Sequence, residues 1–380
     1  MFLFLSPQAI HFGRGQSAQT AAMAKSYGNA VLLVHGARQA RAEWLVRSCE
    51  DSGLSITTLS CQREPSVPDI KLALGQLGDF KPDVVIALGG GSVIDFAKAL
   101  AALIPCEGEI TQYLEVVGTG RPLEHSPLPV IALPTTAGTG AEVTKNAVIS
   151  VPERGIKVSL RDPRMVPQIA IVDAALMQGA PRNVTLAAAL DAVTQVIEPY
   201  LSVKSNPMTD ALCRAAIPVG LTSLRDLVEK DAADAWDNMS WVSTCGGLAL
   251  ANSGLGAVHG FAGVIGGKTN APHGEICGAL LPAVLNSHLS KAEAGTEVHK
   301  RLQWVLTVID TQFADDEAGK GIPALARWSK EQGLRGLKDM GLLSEHHPEV
   351  ANAASNASSM KGNPFPLTQE DLLEILSAAH

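Results

Sequence analysis

Short runs of β-branched and aliphatic residues alternate with helical patterns over roughly the first 175 residues, and no other feature constrains the fold as strongly. Helical patterns cover 39–52 and 93–104 between these runs. Strands separated by helices are typical of βαβ units. The chain is therefore expected to begin with a Rossmann-like α/β domain that contains a mostly parallel sheet. The predicted strands are 30–36, 55–60, 83–92, 128–136 and 169–173, and the opening 1–10 is predicted to be an early strand.

The second half of the chain has a different pattern, with alanine-rich segments at helical spacing and no convincing strand. We expect residues 1–178 to form the α/β domain and residues 179–380 to form an all-helical domain. The polar stretch 346–366 is expected to be a surface connection. Thr368, which is followed by acidic residues, is predicted to be the N-cap of a final helix.

Charge and composition exclude several classes of partner. The 380 residues are 46% hydrophobic and 18% charged, which is typical of a soluble globular protein. A net charge of −8 without a basic block argues against nucleic acid or an anionic membrane as partner. No apolar run approaches the ~20 residues that are needed to span a bilayer. Six scattered cysteines without a CxxC pair predict free thiols in a reducing cytoplasm.

Two glycine-containing loops follow predicted strands. The first, GGGS at 89–92, also precedes a predicted helix. The first N–H groups of such a helix are able to bind a pyrophosphate, and glycines let the pyrophosphate come close to the backbone. Phosphate binding is therefore favoured over a plain turn, although the usual G-x-G-x-x-G pattern is absent. The second loop, PTTAGTGAEVT at 134–144, has hydroxyls that suit a ribose, a phosphate or a nicotinamide, and that equally suit a capped helix start.

A candidate metal site is spread over the second half. Asp191 and Gln195 are four residues apart on a predicted helix and share a face with Glu198. His259 ends an apolar helical run, and His273 follows a proline. One carboxylate, one amide oxygen and two imidazoles are able to ligate a divalent ion. Spacing alone leaves open the alternative that these residues cap helices or fill the core.

Six segments follow one another along the chain, GGGSVIDFAK, ALPTTAGTGAEVT, DAVTQVIEPYLS, GLGAVHG, APHGEICGALLP and NPFPLTQEDLLEIL. They resemble the iron-containing alcohol dehydrogenase family, whose fold is related to that of dehydroquinate synthase. Each is short, but six in the family's order are highly specific, and they extend over most of the chain. The resemblance implies an NAD(P)-linked oxidoreductase that acts on a small alcohol or aldehyde. It places the cofactor on the α/β domain and a divalent metal, Fe or Zn, on the helical domain.

The resemblance also assigns roles to individual residues. It gives the pyrophosphate to the glycine loop, the ribose and nicotinamide to the threonines of the second loop, and a place near the cofactor to Lys157. Asp191, His259 and His273 match three of the family's metal ligands and are therefore the expected catalytic residues. The expected metal ligands are Asp191, Gln195, His259 and His273, and the expected cofactor-binding residues are Gly36, Gly89, Gly90, Gly91, Ser92, Asp95, Thr135, Thr136, Thr139 and Lys157.

The chain departs from the family pattern at three positions. Gln195 stands where the fourth ligand is usually a histidine, and an amide oxygen is a weaker donor. Gly263 stands where many relatives have a histidine that is a candidate for proton relay. Gly36 stands where NAD-preferring relatives often have an aspartate. Because Arg38 or Arg41 is able to pair with a 2′-phosphate, this end of the strand favours NADP over NAD. The alternative is that Gly36 only forms a turn and that both cofactors are accepted.

These departures keep other functions open. The alternatives are a metal-independent enzyme of the maleylacetate reductase type, a dehydroquinate synthase-like lyase, and a non-catalytic nucleotide-binding protein. The motifs PHGE and DAVTQ favour the dehydrogenase, and no cluster of lysines and arginines suits a phosphorylated sugar acid. The apolar start MFLFLS, together with the resemblance, predicts a homodimer in which this segment pairs across the interface.

Overall fold

The computed structural model describes residues 1–269, 271–314 and 320–380. These residues form two compact units. The α/β unit comprises Leu5–Thr136 and Gly140–Gln178, and the helical unit comprises Met1–Phe4, Ala137–Thr139 and Gly179–His380.

The α/β unit is built on a six-stranded sheet. Its strands are β1 (Ala9–Phe12), β2 (Ala30–Gly36), β3 (Ser55–Cys61), β4 (Val84–Gly89), β5 (Val130–Pro134), β6 (Asn146–Val151), β7 (Ile156–Arg161) and β8 (Ile169–Val172). Six of them pair in the order β1-β8-β5-β4-β2-β3, and every neighbouring pair is parallel. The predicted mostly parallel sheet is therefore confirmed. The remaining two strands, β6 and β7, form an antiparallel hairpin that is absent from the predicted strands.

Both faces of the sheet are covered, which explains why its central strands are recognisable in the sequence. In β2, Val31 and Leu33 belong to one core cluster and Leu32 and Val34 to the other, and all four are fully buried. Because successive side chains point to opposite faces, a strand that is buried on both sides is a continuous hydrophobic run. The helices of this unit are α1 (Thr20–Lys25), α2 (Glu43–Asp51), α3 (Val67–Leu77) and α4 (Gly91–Leu103).

The predicted early strand at 1–10 is wrong over most of its length. Residues 1–7 lie outside any strand, and β1 begins only at Ala9. Pro7 has no N–H group, so it cannot donate to a neighbouring strand, and backbone pairing with β8 starts beyond it. The apolar character of the opening segment therefore does not reflect burial within the sheet.

The helical unit confirms the all-helical character predicted for the second half. Its longer helices are α5 (Arg182–Leu201), α6 (Pro207–Lys230), α7 (Ala233–Ser253), α8 (Ala257–Thr269), α9 (His273–Lys291), α10 (Glu297–Phe313), α11 (Ile322–Glu331), α12 (His347–Ser355) and α13 (Gln369–Ala378). Helix α5 packs against α6, α7 and α9 and is buried on nearly every side after its first turn. Such a helix is expected to be apolar all round, so any polar side chain on it needs a specific explanation.

Two expectations for the end of the chain have opposite outcomes. The stretch 346–366 is not a mere surface connection, because it contains α12, with Val350 and Ala351 buried. The predicted N-cap of the last helix is confirmed: the side chain of Thr368 accepts a hydrogen bond from the backbone N–H of Asp371.

Within the described residues, no single helix has the length and apolar character needed to cross a membrane, and the bent pair α7–α8 meets that requirement only jointly, by length and composition.

Candidate metal and cofactor sites

Helix α5 carries two carboxylates and an amide along one face, although its surroundings are apolar. Asp191, Gln195 and Glu198 follow one another at spacings of four and three residues, which aligns them along the helix axis. None of the three is more than 5% exposed. Because a buried polar group without a partner is costly, each of these side chains must be matched by another group in the helical unit.

Glu198 connects α5 to the start of α8. Its Oε1 accepts a hydrogen bond from the backbone N–H of Val258 at 2.7 Å, and its Oε2 accepts one from Nδ1 of His259 at 2.6 Å. A carboxylate at the first turn of a helix is also favoured by the helix dipole. With Nδ1 as the donor, the Nε2 atom of His259 is left as an acceptor or ligand, and it lies 3.3 Å from Oδ1 of Asp191.

His273 and Cys277 extend toward the same point from α9, on which they are one turn apart. A glycine lets α9 come close to α5: a Cβ atom at Gly274 would lie only 2.2 Å from the carbonyl oxygen of Ala187. The close backbone approach at this point brings the first turn of α9 up to Asp191.

Four side chains thus converge in the helical unit. The potential ligand atoms of Asp191, His259, His273 and Cys277 all lie within 4.8 Å of one another. Nε2 of His273 is 3.9 Å from Oδ1 of Asp191, and Sγ of Cys277 is 3.9 Å from Nε2 of His259. Among the described residues, the buried Oδ1 atom of Asp191 has no hydrogen-bond partner of good geometry. A divalent cation would satisfy this oxygen, so the residues fit a metal ion.

Neighbouring groups outweigh the effect of burial on the protonation of this cluster. Burial raises the pKa of Asp191, but His273 and His259 bring it below its usual value. Burial lowers the pKa of the His273 imidazole, yet the Cys277 sulfur and the Asp191 carboxylate together raise it to about 9. The cluster therefore stabilises positive charge at its centre.

Gln195, the remaining predicted ligand, has a partner of its own. Its Nε2 donates a hydrogen bond to the carbonyl oxygen of Thr139 at 2.7 Å. A carbonyl oxygen only accepts hydrogen bonds, so the nitrogen end of the amide is committed to this contact. The segment that contains Thr139 comes close to α5, because a Cβ atom at Gly138 would lie 3.2 Å from the carbonyl oxygen of Ala188.

In the α/β unit, the glycine loop lies between a strand and a helix, as the sequence predicts. Strand β4 ends at Gly89 and α4 begins at Gly91, and no side chain of the described residues caps the helix at Gly90. A Cβ atom at Gly90 would lie 3.1 Å from Oγ1 of Thr136, and the N–H of Thr135 donates to the carbonyl of Gly89 at 3.0 Å. The two predicted loops therefore adjoin, and the uncapped helix start with its bare backbone fits a phosphate group.

Asp95, predicted to be near the cofactor, is partly buried and pairs with the fully buried Lys98. Oδ2 of Asp95 accepts a hydrogen bond from the N–H of Val148 at 3.0 Å, and its Oδ1 lies 3.2 Å from Nζ of Lys98. Lys98 also donates to the carbonyl of Ala141 at 3.0 Å. These contacts attach α4 to β6 and to the end of the second loop, so the pair holds the glycine loop's helix in place.

The other predicted cofactor residues are also placed within the α/β unit. Ser92 lies in the first turn of α4, and Gly36 is the last residue of β2. Lys157, on β7, forms an ion pair with Glu64. The ends of β2 and β4, with the turn into α4, therefore carry five of the ten residues that the sequence assigns to the cofactor, namely Gly36, Gly89, Gly90, Gly91 and Ser92.

Two residues at the metal site have no predicted role: Cys277 belongs to the cluster, and Glu198 is the partner of one of its histidines. The sequence predicts only that Glu198 shares a helix face with Asp191 and that Cys277 is a free thiol. The spacing H-x-x-x-C at 273–277 is the signal that points to Cys277, since it places both side chains on one helix face. The role of Glu198 depends on α8, which lies about 60 residues later in the chain.

Comparison with known proteins identifies the family. Residues 7–174 match the model of the iron-containing alcohol dehydrogenases, and residues 185–380 match the model of the C-terminal part of the Fe-containing alcohol dehydrogenase family. Together the two models extend over most of the chain, on both sides of the junction between the α/β and helical parts.

Individual relatives agree with the family models. The probable alcohol dehydrogenase EutG of Salmonella typhimurium is 34% identical over 339 residues, which cover 88% of this chain and 82% of that protein. The lactaldehyde reductase of Escherichia coli is 33% identical over 317 residues, covering 83% and 81%. A solved structure of a 1,3-propanediol oxidoreductase matches with a TM-score of 0.88 at 25% identity and covers 100% of both chains. The chain therefore belongs to the iron-containing alcohol dehydrogenase family and is an oxidoreductase that acts on CH–OH groups.

Proposed function

We propose that this protein catalyses reversible hydride transfer between a small primary or secondary alcohol and its carbonyl compound, with NAD(P) as co-substrate and a divalent metal as cofactor. The observation that carries the proposal is the buried cluster of Asp191, His259 and His273, in which one carboxylate oxygen lacks a partner among the described residues. These three residues are the proposed metal ligands and catalytic residues. Gln195 and Cys277 are the candidates for a fourth ligand.

The chemistry of the site is divided between bound groups and the protein. A divalent metal supplies Lewis acidity, which stabilises an alkoxide during oxidation or polarises a carbonyl during reduction. The nicotinamide carries the hydride. The protein's own residues supply orientation: Glu198 fixes the His259 ring with Nε2 facing Asp191. Because Gly263 has no side chain that accepts a proton, the proposed route for the alcohol proton is water, a cofactor ribose hydroxyl or another side chain.

The cofactor is proposed to bind along the ends of β2 and β4. The start of α4 suits the pyrophosphate, and the threonines of the second loop suit the ribose and nicotinamide. The proposed cofactor-binding residues are Gly36, Gly89, Gly90, Gly91, Ser92, Asp95, Thr135, Thr136, Thr139 and Lys157.

NADP is the proposed preference over NAD. Strand β2 ends in Gly36, which presents no carboxylate to repel a 2′-phosphate, and Arg38 and Arg41 are exposed just beyond it. Guanidinium groups bind phosphate through paired hydrogen bonds. These features support a pocket that accepts the additional phosphate.

The proposed substrates are short alcohols and aldehydes that carry a further hydroxyl group. This class is supported by the relatives named lactaldehyde reductase and 1,3-propanediol oxidoreductase. We also propose a cytoplasmic homodimer without nucleic-acid or membrane partners. The six free cysteines support a reducing cytoplasm. The net charge of −8 supports the absence of nucleic-acid and membrane partners. The exposed apolar residues Met1, Phe2 and Leu3 support self-association.

A metal-independent reductase of the maleylacetate reductase type is the second candidate. The observation in its favour is Gln195, which replaces a ligating imidazole of the family pattern and commits its amide nitrogen to Thr139. This candidate predicts activity that a strong chelator leaves intact.

The test is an assay of NADPH- and NADH-linked reduction of lactaldehyde and oxidation of 1,3-propanediol, with Asp191→Ala, His259→Ala and the surface control Asp339→Ala. We expect activity in the wild type and the control, and losses of at least about a hundredfold in both site variants, since a catalytic metal contributes several kcal/mol. Full activity in Asp191→Ala and His259→Ala would exclude the metal mechanism. Activity on maleylacetate that resists chelation would support the second candidate instead.

A further inference from the structure

We infer that Cys277, rather than Gln195, completes the metal site, so that the ion is held by one oxygen, two nitrogens and one sulfur. The inference rests on the metal-dependent function proposed above and replaces one ligand of the predicted set. Its basis is the position of the Cys277 sulfur among the other three ligand atoms.

The separations between these atoms suit a single ion. Ligands at about 2.0–2.3 Å from a tetrahedral metal are roughly 3.3–3.8 Å from one another. Nε2 of His259 lies 3.3 Å from Oδ1 of Asp191 and 3.9 Å from Sγ of Cys277, and Nε2 of His273 lies 3.9 Å from Oδ1 of Asp191. These three separations are close to the tetrahedral range, and all four ligand atoms lie within 4.8 Å of one another, so one ion is able to draw them together into a coordination shell.

Local structure directs the Cys277 side chain to this point. His273 and Cys277 are four residues apart on α9, so both face α5. Cys277 is fully buried, and it is not part of a disulfide, so its sulfur remains available as a ligand. Burial also protects the sulfur from oxidants in solution.

Gln195 is less suited to ligate. Its amide nitrogen is held by the carbonyl oxygen of Thr139, so only the amide oxygen remains as a donor atom. A neutral amide oxygen is a weaker ligand than a thiolate for zinc or iron, whose affinity for sulfur is high. The contact with Thr139 gives Gln195 a structural function, since it attaches the segment Ala137–Thr139 to α5.

A sulfur ligand changes the metal preference of the site. Thiolate donors favour zinc over harder divalent ions such as magnesium and manganese. Zinc bound by four protein groups is still able to accept a fifth ligand. We therefore expect zinc to be preferred over manganese by a wider margin than in a site built from one carboxylate and three imidazoles.

The test uses Co²⁺ as a spectroscopic probe of the apoprotein, without substrate or cofactor. Thiolate ligation of Co²⁺ produces an intense near-ultraviolet charge-transfer band that oxygen and nitrogen ligands do not. The proteins are the wild type, Cys277→Ser, Gln195→Ala, and Cys245→Ser as a control at another buried cysteine of the helical unit. Zinc affinity is measured in parallel by competition with a chromophoric chelator, and folding is checked by circular dichroism.

We expect the band in the wild type, Gln195→Ala and Cys245→Ser, and its loss in Cys277→Ser. Losing an outer-sphere partner alone costs roughly 10–100-fold in metal affinity, so Cys277→Ser should weaken zinc binding by at least about that factor. Cobalt bound to the wild type without the band overturns the inference, whether or not any variant folds. Because these readouts need no turnover, a sulfur-bound metal in a protein without dehydrogenase activity would count against the proposed function and leave the ligand assignment intact.

Discussion

Glu198 accepts a 2.6 Å hydrogen bond from Nδ1 of His259 and thereby fixes the opposite ring nitrogen in front of Asp191. The other oxygen of the same carboxylate accepts the N–H of Val258, so Glu198 holds the backbone of α8 as well as the ring. Both side chains are almost fully buried, which excludes competing water. The geometry of the metal cluster therefore depends on a residue that is not itself a ligand.

Replacing Glu198 by glutamine tests this dependence. The amide keeps the size of the side chain but loses the charge, and one of its two polar atoms no longer accepts a hydrogen bond. We expect zinc affinity to fall by roughly 10–100-fold, as for other partners of ligating histidines. Competition with a chelator measures the change, and Glu349→Gln, at an exposed carboxylate, is the control. Unchanged zinc affinity in Glu198→Gln would show that His259 is oriented without it.

The close approach of α9 to α5 gives a second prediction. A methyl group at Gly274 would overlap the carbonyl oxygen of Ala187, whereas one at Gly263 on α8 meets no atom within 4 Å. We expect Gly274→Ala to lower the free energy of unfolding by about 1–3 kcal/mol and to weaken metal binding. Gly263→Ala should be neutral or stabilise by up to about 1 kcal/mol, because alanine is the better helix former. Equal unfolding free energies of the two variants in denaturant titrations would contradict the packing described for α9.

The end of β2 gives a prediction about cofactor choice. A Cβ atom at Gly36 has its nearest neighbour, a methyl group of Val93, at 3.9 Å, so a Cβ atom fits there without displacement. In Gly36→Asp the carboxylate should repel a 2′-phosphate and accept hydrogen bonds from ribose hydroxyls. We expect the ratio of kcat/KM for NADPH to that for NADH to fall by about tenfold or more, which is about 1.4 kcal/mol. Gly36→Ala is the control, and equal ratios in the two variants would mean that the adenosine ribose binds elsewhere.

His288 on α9 predicts a loss of stability at acid pH. Burial lowers its pKa to about 4, against a weaker opposing effect of Glu198. In the unfolded chain His288 has its ordinary pKa of about 6.5 and is protonated more readily than in the folded protein. The free energy of unfolding is therefore highest above about pH 6.5, where His288 is neutral in both states, and it decreases as the pH falls toward 4. Relative to His288→Leu, the wild type should lose about 2 kcal/mol of unfolding free energy between pH 7.5 and pH 5. Denaturant unfolding measures the free energy of unfolding of both proteins at each pH. The same change with pH in both proteins would contradict the lowered pKa of His288.

The fold was predictable where burial is complete. The central strands β2, β4 and β5 are covered on both faces and therefore appear as continuous apolar runs, and their predicted positions are confirmed to within a few residues. The hairpin β6–β7 differs from these strands because few of its successive residues are buried together, so it lacks the continuous apolar run by which the central strands are recognised. Helix α12 is hard to recognise in the sequence because only four of its nine residues are buried, two of them alanines, and polar residues stand between them, a composition shared with loops.

The site was predictable only in part, because its geometry depends on how separate helices pack. The resemblance to a family marks Asp191, His259 and His273, but no local pattern marks Glu198 as the partner of a histidine on another helix. Cys277 is marked only by its spacing from His273, and this spacing has meaning only once α9 is known to begin at that histidine. The contact between Gln195 and Thr139 joins residues 56 positions apart and could not be inferred from either loop or helix pattern.

The most direct test of the account is the metal content of protein purified without chelator, measured by elemental mass spectrometry together with NADPH-linked activity. We predict about one zinc or iron ion per chain in the wild type, as in single-metal catalytic sites, and almost none in Asp191→Ala, with activity lost on chelation and recovered on return of the metal. A wild-type enzyme that is free of metal and fully active would contradict the central claim.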